Sequence, residues 1–412
     1  MTPEKHDIAS LLSVTTLKNT DLSGKTIVLR LDLNMPMAGD KVLDTSRLDA
    51  SLETIRILLQ TNARLIIVTH RGRPKGIEGA LSVKPFLPLL EKVLHTSVLL
   101  ANTVHDLKMI LASDFSQKII LLENIRFWSE ETDKNEAAQM ECARVLRSLS
   151  DVYVNEAFSV SHRAHLSVYT LPLCFEKHQR YAGLTFEKEV SALNTILHQS
   201  EHSTLITLLG GGKVSTKMGL LQSLLERSHA VILGGGMANT FLTAKGMIPK
   251  GKSLIDEDFL KEAESLYDQY AHKIILPVDA VIASEDRSSK VLSVREIDSD
   301  QAIVDIGPET LHMIKNTLHK TISMRPTTTI LWNGPFGWIE KPPFDQGSKD
   351  IGAILAECTK NHDATTIVGG GETLSCLREN RVHITFASTA GGAFLEYLEK
   401  GALPGVEVLR KI

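Results

Sequence analysis

The sequence has little of what marks secreted, membrane or thiol-rich proteins. Its 412 residues include four cysteines, and Cys142, Cys174, Cys358 and Cys376 form no C-x-x-C pair, so we expect neither a disulfide framework nor a thiolate zinc site. No apolar run approaches the roughly 18 residues that a membrane helix needs, and the amino terminus MTPEKHDIAS lacks the basic-then-apolar pattern of a secretion signal. These absences predict a cytoplasmic protein without a membrane partner.

An excess of charge of one sign is also lacking. The 45 Lys and Arg residues nearly balance the 49 Asp and Glu residues, which leaves a net charge of −4. A surface that binds nucleic acid is therefore not expected. With 43% hydrophobic residues, the chain has ample apolar material for a core and for two domains.

Two common nucleotide-binding fingerprints are missing as well. A Walker A loop needs a glycine six residues before its lysine and a Ser or Thr directly after it, but Thr207 and Val214 occupy these positions around Lys213. The dinucleotide fingerprint G-x-G-x-x-G fails at Asn239 and again at Leu374. These failures argue against a dehydrogenase-like dinucleotide binder and for phosphates that are held in another way.

What the second half does contain is a recurring junction in which an apolar strand runs into small residues and then into a helix. The four junctions lie at residues 210–213, 234–236, 369–371 and 388–393. The first backbone N–H groups of a helix lack intrahelical partners and carry partial positive charge, so they attract anions, and glycine lets a phosphate approach closely. One such junction is equally consistent with ordinary loop chemistry, but four together predict phosphate binding.

Strand-like and helix-like patterns alternate along the whole chain. Strands are predicted at residues 26–32, 65–69, 119–122 and 152–155, and again from residue 205 through 231–233, 274–276, 330–332, 366–368 and 384–387. Between the two series, apolar residues recur every three or four positions in residues 184–198, which predicts an amphipathic helix. This alternation predicts an α/β fold of two doubly wound parallel-sheet domains that are joined by a helix and a hinge near Gly183.

In the first half, charged and polar residues collect just after the predicted strands. They are Asp32, Asn34, His70, Arg73, Arg126 and Arg163, joined by Arg47 in the segment DTSRLD. Each arginine alone is most often a solvated surface residue, but the ends of parallel strands open on the binding crevice, and guanidinium groups suit carboxylate and phosphate oxygens. The set predicts a pocket for a small polyanion, and the histidine spacing does not favour a metal site.

Eight segments of the chain resemble, in order, the signature segments of the phosphoglycerate kinase family. They are GKTIVLRLDLNMPM, THRGRPKG, LLENIRF, HRAHLS, LLGGGKVSTK, LGGGMANTFL, ILWNGPFGWIE and IVGGGET. The resemblance implies a monomeric enzyme that moves a phosphoryl group between 1,3-bisphosphoglycerate and ADP with Mg²⁺, giving 3-phosphoglycerate and ATP. It also implies four segments: a phosphoglycerate-binding domain at 1–182, a connecting helix at 183–198, a nucleotide-binding domain at 199–388, and a C-terminal segment at 389–412 that returns to the first domain.

The resemblance assigns expected roles to individual residues. Phosphoglycerate would be held by Asp32, Asn34, Arg47, His70, Arg73, Arg126 and Arg163. The nucleotide would be held by Lys213, Lys217, Gly234, Gly235, Gly236, Asn333, Glu340, Gly369, Gly370, Gly371, Glu372 and Thr373. The transferring phosphoryl group would meet Arg47, Lys213, Gly391 and Gly392, and Glu372 would meet magnesium.

The chain also departs from the family pattern in functional loops. Glu372 and Thr216 stand where the family usually has aspartate, Ala390 replaces a glycine, and Phe394 replaces a small residue. Further departures are Glu156, Ser159 and Val160 in the segment NEAFSVSHR. A divergent paralogue that binds nucleotide without turnover is therefore the alternative to an active kinase.

Overall fold

The computed structural model describes residues 13–18, 20–113, 118–198, 200, 202–283, 289–325 and 327–411. The chain divides into two compact units. The first unit holds the described residues up to Ser191 together with those from Ala402 onward, and the second runs from Ala192 to Gly401.

A six-stranded sheet forms the centre of the first unit. The strands of the unit are β1 (Thr26–Arg30), β2 (Met37–Ala38), β3 (Lys41–Val42), β4 (Arg64–Val68), β5 (Val98–Ala101), β6 (Ile119–Leu122), β7 (Val152–Asn155) and β8 (Arg180–Ala182). The sheet has the order β5-β6-β4-β1-β7-β8 with every pair parallel, while β2 and β3 form a short antiparallel ribbon. Every residue of β6 and β7 is buried, as expected where helices cover both faces of a parallel sheet.

Helices connect the strands of this unit. They are α1 (Ser46–Gln60), α2 (Leu87–Leu94), α3 (Val104–Ala112), α4 (Glu136–Ser148) and α5 (Leu171–Leu173), and α6 (Leu184–Leu197) begins in this unit and ends in the second, because the division falls between Ser191 and Ala192. The side chain of Thr103 accepts a hydrogen bond from the N–H of Asp106, and that of Asn135 accepts two at the start of α4. Each cap satisfies backbone donors that the first helical turn leaves unpaired. The apolar side of α1 packs through Leu48, Ile55 and Leu58 into the core beneath β1 and β4.

The second unit contains a parallel and an antiparallel sheet. Its strands are β9 (Thr204–Leu209), β10 (Ala230–Leu233), β11 (Ile274–Ile275), β12 (Asp279–Ala283), β13 (Ser289–Ser293), β14 (Ala302–Ile306), β15 (Thr328–Asn333), β16 (Thr365–Gly369) and β17 (Phe386–Ser388). The parallel sheet has the order β11-β10-β9-β15-β16-β17, and the antiparallel sheet has the order β13-β12-β14. The strand order of the parallel sheet changes direction between β9 and β15, which in open α/β sheets is where ligands bind.

Helices also cover the parallel sheet of the second unit. They are α7 (Met218–Arg227), α8 (Gly235–Ala244), α9 (Leu260–Tyr270), α10 (Pro308–Met324), α11 (Gln346–His362), α12 (Gly371–Leu377) and α13 (Gly392–Lys400), and α14 (Pro404–Glu407) follows in the first unit. The core includes Trp332 of β15, Ile314 of α10 and Leu355 of α11, all fully buried. None of the described helices is both long and apolar enough to span a membrane.

The predicted fold class is confirmed, since both halves are α/β with a parallel sheet. Pattern alone missed β5 and β8, which are short edge strands, and the antiparallel sheet, whose strand β13 is exposed and polar. We expected the chain to return to the first unit from residue 389, but this boundary needs correction. The C-terminal segment that belongs to the first unit begins at Ala402.

Helix α13 explains this difference. It buries Phe394, Tyr397 and Leu398 within the second unit, where the hydroxyl of Ser223 donates to the carbonyl of Leu398 over 3.0 Å and that of Tyr397 donates to Asn194 over 3.0 Å. The returning segment is shorter than expected.

Candidate active site

Asp32, directly after β1, is the centre of a polar cluster in the first unit. Its carboxylate forms an ion pair with Arg47 in the first turn of α1 and accepts a hydrogen bond from the hydroxyl of Ser159. Its Oδ1 also accepts the backbone N–H of Asn34 over 3.1 Å. With donors on both oxygens, the carboxylate holds the guanidinium of Arg47 in one place. Ser159, which departs from the family pattern, is thereby part of this arrangement.

Asn34 and Arg126 fix the loop that follows β4. The side-chain oxygen of Asn34 accepts the N–H of Gly72 over 2.8 Å, and the guanidinium of Arg126 donates to the carbonyl of Gly72. The fully buried Asn124 ties the same loops together, because its amide oxygen accepts the N–H groups of Arg71 and Arg126, each over 3.2 Å. The loops after β1, β4 and β6 are therefore connected by side-chain hydrogen bonds.

A second layer of buried groups lies behind these residues, and sequence reasoning missed it. Arg30, only 1% exposed, donates from Nε to the hydroxyl of Ser167 over 2.8 Å and approaches Nδ1 of His70 at 3.3 Å. Glu131 is fully buried and accepts both the N–H and the hydroxyl of Ser167 over 2.8 Å. Burial raises the pKa of Glu131, but the hydrogen bond with His165 and the charge of Arg30 outweigh it and lower the pKa.

This cluster carries more positive than negative charge. Burial, with the charges of Arg30 and Arg163, lowers the pKa of Arg126 to about 10. Burial, with the charges of Arg30 and Arg126, holds the pKa of His70 well below its ordinary value, so its imidazole is neutral at neutral pH. Because arginine only donates, Nδ1 of His70 is the acceptor and its Nε2 carries the proton. A neutral donor and several arginines suit a small polyanion.

The structure brings most of the residues that are predicted to hold phosphoglycerate into this cluster. Asp32, Asn34 and Arg126 lie two to four residues beyond the carboxyl ends of parallel strands, His70 is buried just after β4, and Arg47 joins them from α1. Arg163 donates from Nε to Nε2 of His162 over 3.1 Å and contributes to the positive potential at Arg126. Arg73 also adds to this potential, although its side chain is exposed.

In the second unit, glycine-rich turns approach one another backbone to backbone. A Cβ atom on Gly236, in the first turn of α8, would lie 2.3 Å from the carbonyl oxygen of Gly212. Gly370 holds φ at +101°, a conformation that other residues rarely adopt. Position 236, where the turn after β10 meets the turn after β9, therefore requires glycine, and so does position 370 in the turn after β16.

Lys217 joins three strand ends. Its ammonium donates to the carbonyl of Gly210 over 2.8 Å and to the side-chain oxygen of Asn333 over 2.7 Å, and the Asn333 amide donates to the carbonyl of Gly369 over 2.7 Å. Burial lowers the pKa of Lys217 to about 8, and the charge of Glu372 partly offsets this effect. Thr373 accepts the N–H of Gly334 over 2.8 Å and completes the network.

A cavity of about 430 Å³ opens beside these turns. Glycines from the turns after β9 and β10 line one side, together with Glu340 and Glu372. The remainder is largely apolar and includes Leu254, Ile303, Val304, Phe336 and Trp338, which sequence reasoning did not identify. A largely apolar cavity beside glycine-rich turns suits the base of a nucleotide.

Lys213 projects from the first glycine-rich turn, and its side chain is exposed. The hydroxyl of Thr216 donates to the carbonyl of Lys213 over 3.1 Å, and Asp256 accepts the N–H of Ser215 over 2.9 Å. Thr216 thus holds the backbone of the lysine loop although it lacks the aspartate charge that is usual in the family.

The substitution of alanine for glycine at position 390 is compatible with the local backbone. Among the described non-glycine residues, positive φ occurs at Asn62, His95 and Asp363, so Ala390 does not adopt it. Gly391 instead holds φ at +56°, and Gly392 begins α13. The exposed N-terminus of this helix is suited to an anion.

Fold and site together define a phosphotransferase, with a cluster rich in arginine on one parallel α/β unit and a cavity beside glycine-rich turns on the other. The profile of the phosphoglycerate kinase family matches residues 17–401. Phosphoglycerate kinases from Xanthobacter flavus and Bradyrhizobium diazoefficiens are 38% and 39% identical, covering 95% and 96% of this chain and 97% and 98% of their own. The chain belongs to the phosphoglycerate kinase family and is an enzyme.

Solved structures agree with this assignment. The phosphoglycerate kinase from Coxiella burnetii superimposes with a TM-score of 0.83 at 35% identity, covering 96% of this chain and 98% of that one. The enzyme from Pyrococcus horikoshii gives a TM-score of 0.79 at 27% identity with the same coverage. The resemblance found in the sequence is confirmed over nearly the whole chain.

Proposed function

We propose that this protein catalyses reversible phosphoryl transfer from 1,3-bisphosphoglycerate to ADP, giving 3-phosphoglycerate and ATP, a reaction of glycolysis. The observation that carries the proposal is the cluster around Asp32 and Arg47, in which arginines and a neutral histidine meet at the ends of parallel strands. No comparison favours a non-catalytic paralogue. We also propose that the protein is a cytoplasmic monomer, without a nucleic-acid or membrane partner.

On the acceptor side, the arginines bind the phosphate and carboxylate groups of 3-phosphoglycerate. Arg126 and Arg163 supply charge, Nε2 of His70 donates a hydrogen bond, and the Asp32 carboxylate keeps Arg47 oriented. Arg47 also reaches the phosphoryl group that moves. Asn34 contributes by fixing the loop at Gly72.

On the nucleotide side, the apolar cavity receives the base, and Glu340, which lines it, accepts hydrogen bonds from the ribose. Lys217 and the turns at residues 234–236 and 369–371 hold the phosphates. Glu372 lines the cavity in the first turn of α12 and offers a hard oxygen ligand, which fits Mg²⁺. When bound, the ion would neutralise phosphate charge.

The transfer itself needs no covalent enzyme intermediate. In the direction of ATP consumption, a carboxylate oxygen of 3-phosphoglycerate attacks the γ-phosphorus, the bond to the bridging oxygen of ADP breaks, and ADP leaves with that electron pair. Arg47, Lys213 and the N–H groups of Gly391 and Gly392 stabilise the charge on the moving group. We propose that the two units close to bring both substrates into line and exclude water.

The test is magnesium-dependent phosphorylation of 3-phosphoglycerate by ATP, with 1,3-bisphosphoglycerate detected by a coupled NADH-linked reaction. Turnover that requires both substrates and Mg²⁺ is expected. Nucleotide binding measured by calorimetry, with no turnover in either direction, would overturn the proposal and support the non-catalytic paralogue.

A further inference from the structure

Two helices of the second unit place two imidazoles and a carboxylate together. His319 belongs to α10, while Glu357 and His362 belong to α11. One donor atom from each of these residues lies within 4.8 Å of the others. The distance from Nε2 of His319 to Oε1 of Glu357 is 3.6 Å, and the two imidazole centroids are 5.0 Å apart. None of the three residues lines the nucleotide cavity.

The neighbouring groups leave suitable ligand atoms available. Lys315 donates to Oε2 of Glu357 over 2.8 Å, which leaves Oε1 facing His319. Within the part of the chain that the structure describes, Nε2 of His319 is buried and has no hydrogen-bond partner. A metal ion would supply the partner that this nitrogen lacks.

We propose that His319, Glu357 and His362 form a binding site for a transition-metal ion of the Zn²⁺ class. Two ligands of a tetrahedral zinc ion, each about 2.0–2.1 Å from the metal, lie about 3.4 Å apart, close to the 3.6 Å between His319 and Glu357. Two imidazoles and one carboxylate form a donor set that binds Zn²⁺ in preference to Mg²⁺.

The position of the site in the fold supports this assignment. His362 is the last residue of α11, and the partial negative charge of a helix C-terminus favours a cation there. The side chains of His319 and Glu357 are 30% and 34% exposed, and that of His362 is more exposed, so an ion reaches them from solvent and a water completes its coordination. The ion ties α10 to α11, both of which contribute to the core of the unit.

The test measures metal binding by the intact protein after dialysis against a chelator. Co²⁺ is added as a spectroscopic probe and Zn²⁺ is titrated in competition with a chelating dye. We compare wild type with His319→Ala and His362→Ala, and His312→Ala serves as the matched control, because His312 lies on α10 but outside the cluster. Circular dichroism of each variant checks that it is folded.

The proposal requires a visible Co²⁺ absorption band in the wild type that Zn²⁺ displaces and that His312→Ala retains. His319→Ala and His362→Ala should each weaken Zn²⁺ binding by roughly tenfold or more and lose the band. Zn²⁺ should also raise the Tm of the wild type and leave those of the two cluster variants unchanged. Equal affinity in all four proteins, or no band in the wild type, would overturn the proposal.

Discussion

The two candidate binding sites, one in each unit, offer different means of holding an anion. The cluster around Asp32 uses partly buried polar groups that hold one another, such as Asp32 with Arg47 and Asn34 with Gly72. The nucleotide half uses backbone turns, with Gly236 against Gly212, and a largely apolar cavity. A small substrate with charge at both ends requires fixed charges, whereas a nucleotide offers a large base that an apolar wall binds. Charge substitutions should therefore affect the two substrates unequally.

The largest effect is expected at Lys213. Lys213→Ala should lower kcat by about 10²–10³-fold, because a lost donor to the transferring group removes stabilisation that is greatest in the transition state, while nucleotide affinity is largely retained. Steady-state kinetics and calorimetry with ATP test this. Lys261→Ala, at an exposed position of α9, is the matched control. Unchanged turnover of Lys213→Ala would contradict the assigned role.

Substitution of Arg126 should weaken the binding of 3-phosphoglycerate and leave that of ATP nearly unchanged. Arg126→Ala should raise the KM for 3-phosphoglycerate by about 10–100-fold, the cost of a lost charge-assisted hydrogen bond, and leave the KM for ATP nearly unchanged. Arg56→Ala, at an exposed position of α1, should behave as wild type. If both KM values rose together, the separation of the two halves would be wrong.

The pH dependence of binding should also differ between the halves. Burial lowers the pKa of Lys217 to about 8, so the free protein loses this positive charge as the pH rises through 8, whereas Arg126, with a pKa of about 10, stays protonated until higher pH. ATP affinity should fall above pH 8 by up to about tenfold per pH unit, and 3-phosphoglycerate affinity should not. Calorimetry between pH 6.5 and 9.5 measures both, with Lys217→Arg as the variant that removes the dependence for ATP. A flat ATP profile in the wild type would count against the lowered pKa.

The smallest effect is expected at Ser159. Ser159→Ala removes the hydroxyl that donates to Asp32, and loss of one hydrogen bond to a carboxylate that keeps its other donors should raise the KM for 3-phosphoglycerate about two- to fivefold. The KM for ATP should not change. Ser129→Ala, at an exposed position where the hydroxyl contacts the neighbouring Glu130, provides the comparison. If Ser159→Ala raised the KM for 3-phosphoglycerate more than Arg126→Ala does, the proposed order of importance within the cluster would be reversed.

Sequence reasoning succeeded where chemistry recurs at a strand end. The alternation of strand-like and helix-like patterns predicted the fold class, which is confirmed, and glycine runs and charged residues after apolar strands predicted the two candidate pockets, because parallel strands place their carboxyl ends at one edge. The apolar cavity wall was missed, since Leu254, Ile303 and Trp338 come from separate segments and carry no local signature. Arg30 and Glu131 were missed for a similar reason, because their pairing through Ser167 joins segments distant in sequence.

The buried ring of Phe394 has a consequence for how this sequence can change. A Cβ atom at position 369 would lie 2.5 Å from that ring, so even alanine is excluded there while phenylalanine remains. Loss of the ring would in turn leave a cavity above a turn that Lys217 and Asn333 hold in place. The two positions are therefore epistatic: a larger residue at 369 requires a smaller one at 394 first, and a library that randomises position 369 alone would recover few active proteins.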